Sequence, residues 1–173
     1  MSHFKILHYP DQRLRIVAKP VKNINKNIKN ITKNMIYIMN QENGIGLAAT
    51  QINVQLQIIV IYATIKQKKN ILTLINPQII KKNGCISVEE GCLSIPEYRA
   101  FVPRSNYITV QAINLSGKNV KIEAESITSI CIQHEIDHLN GKLFIDYLPT
   151  AQQQEIYKKF IKNRLNRNKK IFY

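Results

Sequence analysis

Tryptophan is absent from the sequence, and acidic residues, cysteine, glycine and proline are all scarce. Three cysteines, Cys85, Cys92 and Cys131, are an odd and sparse set. They exclude a disulfide framework and suit a reducing compartment. Gly and Pro stand at 6 each, too few for a chain dominated by low-complexity disorder. No apolar run approaches the ~20 residues that a membrane helix needs. Met1-Ser2-His3-Phe4-Lys5 contains none of the apolar stretch of a secretory signal. The expectation is a soluble, cytoplasmic protein with no membrane and no DNA partner.

What is present suffices for folding. A chain of 173 residues, 45% of them hydrophobic, can build one core without staples. One domain spanning residues 1–173 is expected, its end (150–173) a basic helix and tail. Lys+Arg number 25 against 11 Asp+Glu, giving +14. Such an excess suits a surface facing RNA or another polyanion, and equally suits a sequence rich in Ile, Asn and Lys through its coding bias. Charge alone does not separate the two.

Patterning predicts an α+β fold: antiparallel β-sheets packed around a central helix, with an N-terminal and a C-terminal helix. A short helix is expected over 11–18. A longer one is expected over 24–41, where Ile24, Ile28, Ile31, Met35 and Ile38 form one apolar stripe. Asn43-Gly44-Ile45-Gly46 stops it. Strand-like runs follow at 57–63 and 71–76, with a break at Asn76-Pro77. Further strands are expected at 79–88 and 99–102, and a hairpin over 107–114 and 120–124 around Leu115-Ser116-Gly117-Lys118. Residues 126–140 read as a helix closed by Gly141. Thr150-Ala151-Gln152-Gln153 reads as a capping box opening a last helix to about residue 168.

Two of the 4 histidines lie in His134-Glu135-Ile136-Asp137-His138. On a helix, residues four apart share one face, so His134 and His138 can grip one ion while Glu135 stands beside it as a general base for water. A hydrolytic metal needs a third protein ligand and an open position. Downstream the acids are Asp146 and Glu155, with no further His, which weakens an H-E-x-x-H protease reading. Cys92, in Glu89-Glu90-Gly91-Cys92-Leu93-Ser94, has the best local setting of the cysteines. Gly91 allows close backbone approach, and the adjoining acids can accept an imidazole N–H. His2Cys with an open position suits zinc or divalent iron. Cys85 reads as a packed small hydrophobe, and Cys131 as core that could also line the site. In Gly44-Ile45-Gly46-Leu47-Ala48-Ala49-Thr50-Gln51, the glycines permit close ligand approach and Gln51 offers an amide donor to an oxyanion.

These three clusters, in this order, resemble the peptide deformylase pattern G-x-G-x-A-A-x-Q, E-G-C-x-S and H-E-x-x-H, and all three are complete. The likeness runs from His8-Tyr9-Pro10 to about Leu148. It implies Cys92, His134 and His138 as ligands of one divalent ion, Fe(II) with Zn, Ni or Co able to replace it. It implies Glu135 as general acid/base, and Gln51 with the Leu93 amide as oxyanion donors. Ile45, Gly46 and Gly91 would hold the peptide as an added strand. Arg99 would lie on the substrate side, and Ile130 and Cys131 would join His134 in forming a methionine pocket. The implied substrate is an N-formylmethionyl nascent peptide. Apart from the resemblance, the basic C-terminal helix reads either as a solvated face or as a dock for ribosomal RNA, which would make the ribosome a further partner. Asn43 stands where many relatives carry an acid, and Tyr98 where Gln is commoner; both bear on peptide preference. The rival functions are an H-E-x-x-H metalloprotease and a decayed ribosome- or RNA-binding module.

Overall fold

The computed structural model describes residues 4–65 and 68–169. Its first helix, α1 (Lys26–Gln41), starts where Asn25 accepts a bond from the Ile28 amide, a side-chain N-cap. The predicted stripe is its buried face: Ile28, Ile31, Met35 and Ile38 are all in the core. Among the described residues seven strands follow, β1 (Gly46–Ala48), β2 (Ile58–Ile65), β3 (Lys68–Asn83), β4 (Ile86–Cys92), β5 (Ile95–Arg104), β6 (Tyr107–Ile113) and β7 (Asn119–Glu125). Five form one antiparallel sheet in the order β1-β2-β3-β6-β7, and β4 pairs with β5 as a separate hairpin. The second helix is α2 (Ser126–Leu139) and the third α3 (Thr150–Lys169).

The sheet is covered on both faces, which is why β2 is apolar without alternation. Ile59, Ile61 and Ala63 join a core with Cys131, Ile132 and Leu139 of α2. Their neighbours Ile58 and Val60 point the other way, into a core with α1. A third core sets Ile95 and Val102 of the hairpin against Leu7, Leu14, Phe144 and Ile156. Helix α2 therefore packs on the sheet while its polar residues His134 and His138 meet the β4–β5 hairpin. This is the α+β arrangement the patterning predicts.

Several boundaries differ from expectation. Residues 11–18 form only a 3-10 turn, Gln12–Arg15, capped by Asp11. Asn76-Pro77 does not break a strand; β3 runs through it at an irregularity in the pairing with β6. Asn76 adopts φ 50°, and its amide both accepts from the Val21 N–H (2.8 Å) and donates to the Val21 carbonyl (2.9 Å). Proline is tolerated at such a bulge. The strand expected at 79–88 is split between β3 and β4, and Cys85 in the gap is exposed, not packed. The strand expected at 99–102 is the centre of the longer β5. Thr150 is already the first residue of α3, and the carbonyl of Pro149 accepts from the Gln152 and Gln153 amides. Lys170 and Met1–His3 lie outside the described residues, as do the side chains of Arg164, Leu165, Arg167 and Lys169.

Gly141 terminates α2 as predicted. Its φ is +69°, and a Cβ there would sit 2.4 Å from the Arg15 carbonyl oxygen. Both demands fall on backbone, which cannot swing aside. Gly141→Ala is expected to destabilise by about 2–4 kcal/mol, combining left-handed strain with overpacking. Urea unfolding measures it, and a loss under ~1 kcal/mol would mean that the close approach is not there.

Candidate metal centre

Helix α2 presents His134 and His138 one turn apart, and β4 ends at Cys92 beside them. The Nε2 atoms of the two histidines are 3.2 Å apart, and the Cys92 Sγ is 3.2 Å from the His138 Nε2. The three ligand atoms all lie within 4.8 Å of one another. Two nitrogens each ~2.0–2.1 Å from a tetrahedral ion stand little over 3 Å apart, so the spacing suits a shared ion.

The surroundings prepare these atoms for binding. The His134 Nδ1 is 2.8 Å from a Glu90 oxygen, to which it donates, and this turns the Nε2 toward the His138 Nε2. Desolvation opposes a charge on His134, but hydrogen bonds to Cys92 and Glu90 raise its pKa well above the ordinary value, so an ion binding at Nε2 must displace a proton there. Burial, with His134 close by, pushes His138 well below it, towards the neutral form a ligand must have. The Ser94 amide donates to the Cys92 sulfur at 3.4 Å.

The ligand set lies beneath a cleft of about 610 Å³ lined by residues of β1, β4, the β4–β5 turn and α2. Glu135 lines it too, and burial pushes its carboxyl up to about 7, with His134 pulling the other way. Its Oε2 has no partner among the described residues. Gln51 is buried, and its orientation is set twice: its Oε1 accepts from the Ala48 amide at 2.8 Å, and its Nε2 donates to Ser94 Oγ at 3.1 Å. That leaves the Nε2 3.6 Å from Cys92 Sγ. Cys131 is core and cleft wall at once; burial pushes its thiol pKa well up, and its Sγ is 3.5 Å from the Ile45 carbonyl.

Strand β1 has one neighbour only among the described residues. The Ile45 carbonyl accepts from the Tyr62 amide, and Gly46 lies opposite Ile61. The other edge of β1 therefore borders the cleft. Leu93, Gly91, Arg99, Ile130, Asn43 and Tyr98 also line it. Arg99 is an exposed member, paired with Glu89 at 3.1 Å. Every site residue singled out from the sequence is thus at this one cleft or among its three ligand atoms. Sequence reasoning missed Arg104, which binds both oxygens of Glu90, and gave Ser94, the last residue of the cysteine motif, no role, though it helps aim Gln51. Arg104 lies outside every motif, and nothing in its neighbours singles it out.

A cysteine sulfur and two imidazoles converging under an open cleft, on an α+β scaffold with a buried carboxyl alongside, define the class: a metal-dependent hydrolase. The family is given by comparison. Residues 3–154 match the polypeptide deformylase family, and the chain belongs to it. It is 69% identical over 162 residues to a peptide deformylase of Buchnera aphidicola subsp. Schizaphis graminum, covering 94% of this chain and 96% of that one. A second Buchnera aphidicola peptide deformylase, subsp. Acyrthosiphon pisum (strain Tuc7), is 66% identical over 172 residues, covering 99% and 98%. Among solved structures, a peptide deformylase from Legionella pneumophila superposes with TM-score 0.87 at 38% identity, covering 96% of this chain and 98% of that one. One from Ehrlichia chaffeensis in complex with actinonin gives 0.89 at 31% identity, covering 94% and 98%. The chain is a peptide deformylase by family: it removes the N-formyl group from nascent peptides.

Proposed function

We propose that Cys92, His134 and His138 hold one divalent ion, and that Glu135, Gln51 and Leu93 perform the deformylation around it. The observation that carries this is the convergence of the three ligand atoms within 4.8 Å beneath the cleft. Fe(II) is the native ion in this reading, with Zn, Ni and Co as substitutes, because a mixed thiolate and imidazole set accepts all of them. When bound, such an ion acidifies a water and polarises the formyl carbonyl.

The chain's own residues do the rest. Glu135 takes a proton from the attacking water and returns it to the departing amine, completing formate release. Its proton affinity near neutrality suits both transfers. The Gln51 Nε2 and the Leu93 backbone N–H stabilise the oxyanion, and the double anchoring of Gln51 means that its donor needs no reorganisation. Ile45 and Gly46 on the free edge of β1, with Gly91 on β4, hold the peptide as an added strand. Arg99 stands at the outer wall. Ile130 and Cys131 join His134 in an apolar recess suited to an unbranched Met side chain. The whole of residues 1–173 works as one catalytic domain in the cytoplasm, with 150–173 as an appended basic helix and tail.

The test is formate release from a formyl-Met-Ala-Ser peptide by anaerobically purified protein, with metal assayed alongside. Turnover with near one metal per chain is expected, and Cys92→Ala should lose both. If Cys92→Ala keeps its metal, the third ligand is elsewhere and a protease-like site regains ground.

The ribosome is the further partner, reached through α3. Its Lys158, Lys159 and Lys162 are exposed while Ile156 is buried and Phe160 packs edge-on to Tyr9 at 5.6 Å. A phosphate-directed contact weakens steeply with salt. Ribosome pelleting should therefore fall as salt rises and on deletion of residues 158–173; insensitivity to both would end the idea.

A further inference from the structure

We propose that Arg104 is a positioning residue of the metal centre, whose single buried guanidinium ties the strand bearing Cys92 to the helix bearing both histidines. This rests on the ligand reading given above. Arg104 closes β5, and neither the cysteine motif nor the histidine motif contains it. Its side chain is 3% exposed.

The guanidinium has two jobs. Its Nε and Nη2 donate to the two oxygens of Glu90 at 2.6 and 3.0 Å. Its Nη1 donates to Asp137 Oδ2 at 2.5 Å. Glu90 stands two residues before Cys92, and Asp137 stands between His134 and His138 on α2. One rigid fork thus spans the two elements that supply the ligands. The Glu90 oxygen that accepts from Nη2 also faces the His134 Nδ1 at 2.8 Å, so the fork sets the carboxylate that sets the ring.

Tyr147 completes the clamp. Its hydroxyl donates to the same Asp137 oxygen at 2.9 Å, and its ring lies 4.8 Å from the Arg104 Cζ. Arg104 does not line the substrate cleft. It borders a separate cavity of about 440 Å³ shared with Asp137, Tyr147, Lys82 and Lys142. It therefore acts through Glu90 and Asp137 rather than on the peptide.

Lysine preserves the charge but not the fork, because a point ammonium cannot bind both Glu90 oxygens and reach Asp137 in one planar arrangement. The experiment strips the full-length protein with chelator, reloads it with cobalt(II), and measures the cobalt dissociation constant by chelator competition. The cobalt absorption spectrum is recorded with it. Arg104→Lys is expected to weaken cobalt binding by about 10–100-fold and to change the ligand-field bands, with KM little altered and kcat reduced. A folded Arg104→Lys protein with wild-type cobalt affinity and spectrum overturns the proposal. Should Arg104→Lys not fold, Tyr147→Phe decides the matter, since Tyr147 is 41% exposed and its hydroxyl can be removed without a buried hole. Cobalt release a few-fold faster supports the clamp, and release at the wild-type rate overturns it. Wild-type protein that binds no cobalt would instead sink the ligand reading and this proposal together.

Discussion

Glu135→Gln is expected to lower kcat by a factor of about 10²–10⁴, with metal content and fold retained. At ~1.36 kcal/mol per decade that is roughly 3–5 kcal/mol of lost transition-state stabilisation. The substitution keeps the shape of the side chain and removes only its capacity to accept and return a proton. The residue is 4% exposed, and one of its carboxyl oxygens has no partner among the described residues. It gains little for the fold from its charge, since burying a carboxylate with one oxygen unbonded is costly. The Glu135→Gln protein should therefore match or exceed the wild-type melting temperature while turnover collapses. Steady-state formate release, metal analysis and calorimetry on the same preparation separate the effects. Near-normal turnover would mean that another group carries the proton, and a large fall in melting temperature would mean that Glu135 is structural first.

The same residue shows why so much of the site can be read from the sequence. The ligand helix is local: the i, i+4 histidines, the apolar residues around them and the Gly141 stop lie in one short segment, so periodicity and cap chemistry suffice to place it. The glycine-rich strand and the Cys92 turn are local in the same way. Glu90 is a case of partial legibility. The acids beside Cys92 are all candidates to accept an imidazole proton, but only strand alternation chooses between neighbours. Glu90 faces inward to His134, while Glu89 pairs with Arg99 at the surface.

Arg104 cannot be found that way. Its partners are 14 and 33 residues distant, and its burial is set by how the hairpin folds onto α2. The course of β3 through Asn76-Pro77 is hidden for a related reason. Asn and Pro are turn residues in isolation, but here the Asn76 amide is satisfied by the backbone of Val21, 55 residues away. Cys85 misleads because strand-like residues continue on both sides of the exposed Asn83-Gly84-Cys85 link.

Gly46→Ala should be nearly as damaging as loss of Glu135 itself, from a residue that bears no functional group. A Cβ at this position would stand 2.4 Å from Glu135 Oε1 and 2.6 Å from Cys131 Sγ. Both are buried side-chain ends, so either can yield only by moving within the packed site. Both lie on α2, which is packed on the sheet, and Gly46 itself is pinned opposite Ile61 in β1. Relief must come by turning the Glu135 carboxyl out of place or by pushing β1 away from α2. On the proposed roles, the first removes the proton carrier and the second alters the strand edge that would receive the peptide. Activity is expected to fall by about 10²-fold or more, since ångström-scale misplacement is enough for that. Stability should fall by about 1–3 kcal/mol through overpacking. Adding Cys131→Ala distinguishes the two contacts. It removes the sulfur but leaves the clash with the carboxylate, so the double variant should recover part of the stability and little of the activity. Full recovery of activity would place the damage at the sulfur and in the position of the strand, with the Glu135 carboxylate undisturbed.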